Sequence, residues 1–158
     1  MSQHQVAIAL GGNLGDTESI FHRALTLLSE AGLDSQRVSS WHRTAPVDCH
    51  PCTPDFLNGA VIGEWPGTSE ELLAVTQRIE QVLGRPAEHD SRASRPLDLD
   101  ILLFDELRLS SPTLTIPHPR MRQRRFVLEP LAEIAPDWLI PGYGKTVRQA
   151  CQELDSTL

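Results

Sequence analysis

The sequence predicts an α+β domain with a largely antiparallel sheet and helices packed on it. Predicted strands and helices alternate, yet several strands adjoin through short turns with no helix between them, which favours this class over a doubly wound parallel fold. The chain has 158 residues, of which 40% are hydrophobic, enough for one well-formed core. Since the sequence shows no internal repeat or interdomain linker, we expect a single domain over residues 1–158.

The first half of the chain is divided by glycines and prolines. The predicted elements are, in order, a strand over Val6–Leu10, a glycine-rich turn at 11–16, a helix ending at Gly32, a strand over Val38–Thr44 and a proline-rich loop at 45–55. Asp16 or Thr17 is the expected cap of the helix. The apolar face expected for that helix consists of Ile20, Ala24, Leu27, Leu28 and Ala31.

The second half carries stronger local signals. Thr68 with Glu71 matches a capping box, and Thr146 with Gln149 repeats it, so each pair predicts a helix start. The predicted elements are, in order, a strand over Phe56–Trp65, a helix ending at Gly84, a loop at 85–94, a strand over 95–104, a hairpin to Leu107–Leu109, an extended segment over Leu114–Arg120, a short helix over 129–135 and a final helix. The helix before Gly84 is expected to bury Leu72, Val75, Ile79 and Val82.

Two predicted strands place polar side chains where they need a partner. Because side chains alternate along a strand, Asp98 and Asp100 share one face and Leu99 lies on the other. Paired carboxylates repel each other unless a cation or proton neutralises them, and two carboxylates completed by water or substrate oxygens typically hold Mg²⁺. On spacing alone, a solvated edge strand is the favoured explanation. Asn58 is either a buried amide that binds something or a strand-end residue satisfied by local backbone.

Charge is distributed unevenly along the chain. The formal net charge is −7, which disfavours general binding to nucleic acid or to anionic membranes. Eight arginines and six acids lie between Arg85 and Arg125, so this window carries +2 and the rest of the chain −9. Arginine makes forked contacts to phosphate oxygens. An acidic protein with one arginine-rich window around a D-x-D pair therefore suggests a metal–polyphosphate ligand.

Cysteine usage and hydropathy indicate a cytoplasmic protein. No apolar run is long enough for a membrane span, and the first residues are unlike a signal peptide. Three cysteines argue against a disulfide framework. Cys49 and Cys52 form a C-x-x-C, which supplies only two of the four ligands of zinc, so loop thiols are the favoured interpretation.

Seven short motifs are spread over most of the chain. They are Ile8–Gly15, Pro54–Val61, Gln77–Glu80, Gly84-Arg85, Arg95–Leu103, Ile116–Met121 and Arg124–Phe126. With these motifs, in this order and at near-family spacing, the sequence resembles the 6-hydroxymethyl-7,8-dihydropterin pyrophosphokinase family nearly from end to end. Together they are far more specific than any one of them.

The resemblance implies a ferredoxin-like sandwich that moves a diphosphate from ATP, with two Mg²⁺, onto a pterin alcohol. The metal aspartates match Asp98 and Asp100, which together with Arg85 and Arg95 make up the catalytic set. The nucleotide positions match Gln77, Arg85, Arg95, Ile101, Leu114, Thr115, His118 and Arg124. The pterin positions match Thr44, Pro46, Val47, Phe56, Asn58 and Phe126, with Phe56 and Phe126 stacking on the ring and Asn58 reading it. We expect a monomer, with ATP and the pterin as its partners.

Some positions depart from the family pattern. Arg92 stands where members often carry an aromatic that closes over the pterin, and it could reach a phosphate or stack on the ring. Ala87 and Thr113 stand where some members carry arginine, and Pro119 where some carry tyrosine. Two other functions stay open at this point: a nucleotide- or pterin-binding relative without turnover, and a metal protein built on Cys49, His50, Cys52 and a further ligand.

Overall fold

The computed structural model describes residues 3–13, 16–44, 56–84 and 97–156. The strands in these ranges are β1 (His4–Gly12), β2 (Asp34–Val38), β3 (His42–Thr44), β4 (Phe56–Trp65), β5 (Asp98–Phe104), β6 (Leu109–Ser110), β7 (Thr115–Ile116), β8 (Leu139–Ile140) and β9 (Lys145–Thr146). The helices are α1 (Thr17–Ala31), α2 (Ser69–Gly84), α3 (Arg125–Ile134) and α4 (Val147–Ser156), with a 3₁₀ turn at Met121–Gln123. None of these helices is long and apolar enough to cross a membrane.

The main sheet of the described residues has the strand order β2-β4-β1-β5, with β3 also pairing β4. Every pair in it is antiparallel. The chain order β1-α1-β2, then β4-α2-β5, with β1 and β4 in the centre, is that of a ferredoxin-like sandwich. The predicted α+β class with a largely antiparallel sheet is confirmed.

Two apolar clusters lie on opposite faces of this sheet. On one face, α1 and α2 pack against the alternate side chains of β1 that include Ile8 and Leu10. On the other face, α3 and α4 pack against Ala7 and Ala9 of the same strand. The small side chains on the second face let α3 approach β4 closely. Because α3 and α4 cover only part of this face, its Gly11 end carries the polar side chains described below.

The two capping boxes predicted the starts of α2 and α4 correctly. The Glu71 carboxylate accepts from the Thr68 amide at 2.8 Å, and the Thr68 hydroxyl accepts from the Glu71 amide at 3.1 Å. Thr146 and Gln149 make the same reciprocal pair before α4. At α1, Asp16 precedes the helix but its side chain makes no capping hydrogen bond.

Burial was predicted less well than helix boundaries. In α1, Phe21 is fully buried although it was left out of the predicted apolar face, while Ala31 is exposed. In α2, Leu72 and Ile79 are buried, but Val82 is 63% exposed because the buried stripe continues through Leu83, which packs against the core, and Val82 lies to one side of that stripe. The prediction for Val82 is wrong.

The predicted strand boundaries are wrong where a contact with a distant segment ends a strand or changes its partner. The predicted strand Val38–Thr44 is two strands, because Ser39 leaves the ladder and its hydroxyl accepts from the Ala60 amide at 2.9 Å. Trp41 then packs over Gly59, where a Cβ would lie 2.4 Å from the indole ring. The predicted hairpin after β5 is also wrong, since β6 pairs with β7. The predicted helix at 129–135 begins earlier, at Arg125, so Pro130 lies inside α3 rather than in its first turn.

Candidate active site

One row of facing residues joins three strands at the open end of the second face. Gly11 of β1 pairs with Asn58 of β4 on one side and with Asp98 of β5 on the other. Residues directly opposite each other in a sheet share a face, and strands lie about 4.8 Å apart. Asn58 and Asp98 therefore project from the same face, about 10 Å apart, with a glycine between them.

Gly11 leaves the floor between these two side chains open. A Cβ built on it would lie 3.5 Å from Asn58 Oδ1, so the amide oxygen lies close to the glycine. The strand β1 continues to Gly12, whereas the sequence predicted a turn from Gly11 onward. Gly11 is a candidate site residue that periodicity did not identify, and its only sequence signal was its place in the glycine-rich motif.

The two aspartates lie on one face of β5, as predicted. Asp98 is half-buried and Asp100 is exposed, while Leu99 between them is buried against the opposite cluster. Within the described ranges, no group of three or more His, Cys, Asp or Glu side chains is arranged to hold a metal ion. Two carboxylates on one face fit a hard cation whose remaining ligands come from water or from phosphate oxygens. The donor set therefore suits Mg²⁺ bound together with a nucleotide.

A glutamate of α2 holds the backbone between the aspartates. β5 is the edge of the main sheet, and the Leu99 amide donates to Glu80 Oε2 at 2.8 Å. A charged acceptor satisfies this edge amide and ties the D-x-D segment to α2. The sequence suggested only a solvated position for Glu80. Gln77 lies one turn earlier on α2 and is exposed, whereas Ile101 of β5 is buried.

His118 lies beside β5 and close to Asp100. Its backbone amide donates to the Leu102 carbonyl at 3.0 Å, which anchors it to β5. Its Nδ1 accepts from the Arg120 amide at 3.2 Å, so the proton of the neutral ring is on Nε2. Burial lowers the pKa of His118, the nearby Asp100 opposes this, and Arg124 and Arg120 add to it. The ring is therefore a neutral Nε2–H donor at physiological pH.

Open space adjoins His118. A cavity of about 540 Å³ lies between the β6–β7 hairpin and the turn after β8, and its lining includes Thr115 and His118. Arg122, also in the lining, places its guanidinium 3.9 Å from the Tyr143 ring centre. Of the expected nucleotide contacts, Thr115 and His118 are thus accessible to a ligand, Leu114 is half-buried, and Ile101 is only 4% exposed.

The expected pterin contacts lie on the α3 side of the sheet. Asn58 is 7% exposed, and its Nδ2 donates to the Thr44 hydroxyl at 3.1 Å, which orients the amide. Thr44 of β3 faces Phe56 of β4 in the ladder. Phe126 is in the first turn of α3 and is 40% exposed, with the Arg124 guanidinium 5.6 Å from its ring centre. An exposed aromatic ring and a buried, oriented amide are the two kinds of group that bind a flat polar heterocycle.

Several predicted site residues lie outside the described ranges. They are Arg85, Arg95, Pro46 and Val47, together with Arg92 and the cysteine pair Cys49 and Cys52. Their assignments stay predictions. The strand registers bring Thr44, Phe56, Asn58, Asp98 and Asp100 to one end of the sheet. His118 is near Asp100 and Arg124, and the Arg124 guanidinium lies 5.6 Å from the Phe126 ring centre.

Comparison with known proteins decides the family. The model of the 7,8-dihydro-6-hydroxymethylpterin-pyrophosphokinase (HPPK) family matches residues 7–136. The chain belongs to this family. A 2-amino-4-hydroxy-6-hydroxymethyldihydropteridine pyrophosphokinase of Synechocystis is 40% identical over 98% of this chain and 78% of its own. The enzyme of that name from Bacillus subtilis is 44% identical over 80% of this chain and 75% of its own.

Larger proteins contain a similar segment. A mitochondrial folate synthesis bifunctional protein of Arabidopsis thaliana is 42% identical over 84% of this chain but only 24% of its own length. Among solved structures, an HPPK-DHPS in complex with substrates aligns with a TM-score of 0.77 over 99% of this chain and 44% of its own, at 12% identity. Wild-type Plasmodium falciparum HPPK-DHPS aligns with a TM-score of 0.74 over 98% of this chain and 44% of its own, at 15% identity. At such identities the structures support the fold alone, and it is the HPPK fold.

Proposed function

We propose that this HPPK family member transfers the diphosphate of ATP to the hydroxymethyl group of 6-hydroxymethyl-7,8-dihydropterin, with Mg²⁺ held by Asp98 and Asp100. The single observation that carries the proposal is the row Asn58–Gly11–Asp98 on one sheet face. It puts the amide expected to read the pterin and the carboxylates expected to hold the metal about 10 Å apart on one surface. A pterin held at Asn58 would then direct its side arm toward a phosphate chain held at Asp98.

Each part of the site has a distinct task in this proposal. Magnesium, when bound, neutralises charge on the triphosphate. The chain's own groups position the reactants, since phosphoryl-type transfer asks the protein mainly for positioning and charge stabilisation. The hydroxymethyl oxygen attacks the β-phosphorus in line and gives its proton to a phosphate oxygen, the bond from the β-phosphorus to the bridging oxygen of the α-phosphate breaks, and AMP leaves with that oxygen.

One histidine and three arginines would contact the phosphates of the nucleotide. His118 presents a neutral Nε2–H, which can donate to an oxygen on the AMP side as charge develops there. Arg124, beside Phe126, is the described arginine expected to reach a phosphate. We assign Arg85 and Arg95 to the transferred group on the family resemblance. These four residues would supply the positive charge and the donors that the transferred diphosphate and the leaving AMP require.

The test is the formation of AMP from ATP, Mg²⁺ and the hydroxymethyl pterin, measured with a coupled assay. Asp98→Ala and Asp100→Ala are expected to lower turnover by at least roughly 10²-fold, the order seen when one major charge-stabilising group is removed. Glu106→Ala is the matched control, since Glu106 is exposed just beyond the end of the same strand. It should keep wild-type turnover.

The outcomes separate the competing functions. ATP binding without AMP release from the wild-type protein would indicate a binding relative without turnover. Co-purified zinc that is lost on mutation of Cys49 and Cys52 would indicate a metal protein. Normal turnover in a folded Asp100→Ala protein, with folding checked by circular dichroism, would remove Asp100 from the metal site.

A further inference from the structure

A carboxylate near the end of α3 binds the segment that leads into β3. Glu133 accepts from the Ser40 amide at 2.8 Å and from the Ser40 hydroxyl at 2.9 Å. The same carboxylate pairs with His42 Nε2 through a short contact. Ser40 and His42 are more than 90 residues away in sequence, so these contacts tie two distant parts of the chain together. We call this group, Ser40, His42 and Glu133, the β3 clamp.

The charge state of Glu133 suits this task. Partial burial alone would raise the pKa of the carboxyl, but hydrogen bonds from the Ser40 amide, His42 and the Ser40 hydroxyl outweigh it and lower the pKa below its ordinary value. Glu133 is therefore ionised at neutral pH. Hydrogen bonds to a charged acceptor are stronger than neutral ones.

The clamp connects two elements that carry expected pterin contacts. β3 is three residues long and pairs only with β4 among the described strands. In that ladder, His42 faces Asn58, and Thr44, which holds the Asn58 amide, faces Phe56. On the helix that carries Glu133, Phe126 is in the first turn of α3, about two turns before Glu133.

We propose that Glu133 is a positioning residue, which sets the separation between the α3 ring Phe126 and the β3–β4 surface of Asn58 and Phe56, and so sets the width of the pterin slot. The inference rests on the proposed function, because it takes these three residues as pterin contacts. Glu133 itself does not touch the pterin. It acts through β3 by holding Thr44, and through α3 by holding the helix against the sheet.

A hydrolytic triad is the other chemistry that serine, histidine and glutamate suggest. In a triad the carboxylate binds the ring nitrogen remote from the serine. Here Ser40 Oγ lies 3.4 Å from His42 Nε2, and Glu133 contacts that same nitrogen. The Ser40 hydroxyl also donates directly to the carboxylate, which removes it as a nucleophile. The geometry is that of a structural clamp.

The experiment compares pterin and nucleotide binding in three variants. Pterin dissociation constants are measured by calorimetry with α,β-methylene ATP and Mg²⁺, so that the bond broken in the reaction is blocked. Glu133→Ala is expected to weaken pterin binding at least tenfold and nucleotide binding less than twofold. Glu133→Gln keeps a carbonyl acceptor for Ser40 and should lie between Glu133→Ala and wild type. Glu129→Ala is the control, since Glu129 is one turn earlier on α3 and pairs within the helix with Arg125.

Amide hydrogen exchange of residues 40–44 supplies a readout that does not depend on ligands. Glu133→Ala should exchange these amides at least tenfold faster, with the α1 and α2 amides unchanged. If Glu133→Ala does not fold, His42→Ala removes the other half of the clamp. It should likewise weaken pterin binding much more than nucleotide binding.

The possible results separate the two proposals. Wild-type pterin affinity in Glu133→Ala, or an equal loss of both ligands, would overturn the positioning role while leaving the proposed function intact. A wild-type protein that binds no pterin at all would overturn the proposed function, and the clamp's role in the slot with it. Faster exchange at 40–44 together with a pterin-specific loss supports the inference.

Discussion

Replacing Phe126 by alanine tests whether the exposed ring on α3 is a ligand contact. The ring is 40% exposed in the free protein, although large apolar side chains are favoured inside. Full burial of a Phe side chain is worth about 1.5–3 kcal/mol, so a ligand that covers the remaining exposed part gains roughly 0.6–1.2 kcal/mol. Stacking on a second ring adds about 0.5–1.5 kcal/mol.

Together these terms predict that Phe126→Ala weakens pterin binding by about 1–2.7 kcal/mol, which is roughly 5- to 100-fold in the dissociation constant. ATP binding should change by less than about threefold, because the Arg124 contact with the ring at 5.6 Å is an exposed cation–π pair worth roughly 0.5 kcal/mol. The part of the ring that is already buried contributes about 1–2 kcal/mol to folding, so the variant should stay folded.

The assay is calorimetric titration of the pterin in the presence of α,β-methylene ATP and Mg²⁺. Phe126→Leu separates the two terms, since leucine retains most of the apolar area but has no ring; it should lose only the stacking part, about 2- to 13-fold. Leu139→Ala, the matched truncation of an exposed residue, should leave pterin affinity unchanged. A folded Phe126→Ala protein with pterin affinity within twofold of wild type would refute the assignment.

Three further predictions follow from the site. Gly11→Ala should keep or slightly raise the free energy of unfolding, because the added Cβ makes only an ordinary contact at 3.5 Å with Asn58. The methyl group would nevertheless lie between Asn58 and Asp98 and should weaken pterin binding about 5- to 150-fold, the effect of 1–3 kcal/mol of overpacking. An unchanged pterin dissociation constant in calorimetric titration would contradict this. Because the pKa of His118 is lowered by folding, the unfolded chain begins to take up a proton near pH 6.5, whereas the folded chain takes it up only at lower pH. As the pH drops from 7.5 to 5.5, the free energy of unfolding of the wild-type protein, measured with urea, should therefore fall more than that of His118→Gln. Parallel pH dependences of the two proteins would contradict the lowered pKa. Glu80→Ala should lower the free energy of unfolding by about 1–3 kcal/mol because the Leu99 amide loses a charged acceptor, whereas Gln81→Ala, at the next and exposed position, should cost less than about 0.5 kcal/mol.

Local patterns predicted much of the fold because they are read over a few residues. The capping boxes at Thr68 and Thr146 placed two helix starts correctly, since a cap is a contact between residues three apart. Alternation placed Asp98 and Asp100 on one face for the same reason. The family motifs then pointed to the α+β sandwich, which the fold confirms.

Long-range contacts overrode the local pattern elsewhere. Nothing near Leu107 in sequence shows that β6 pairs with β7 rather than with β5. Val82 fits an apolar period with Leu72 and Ile79, but in the folded helix Leu83 rather than Val82 faces the core. Glu80 and Glu133 look like solvated acids on helices, and each has its main partner in a distant strand.

The sequence by itself determined which side chains share a strand face, because the period of two is a property of the backbone. It therefore determined the carboxylate pair of Asp98 and Asp100. Only the tertiary structure decided that β1 lies between β4 and β5, which puts Gly11 between Asn58 and Asp98. Strand order depends on how helices on both faces bury their apolar sides together, a condition on the whole chain that no short segment contains.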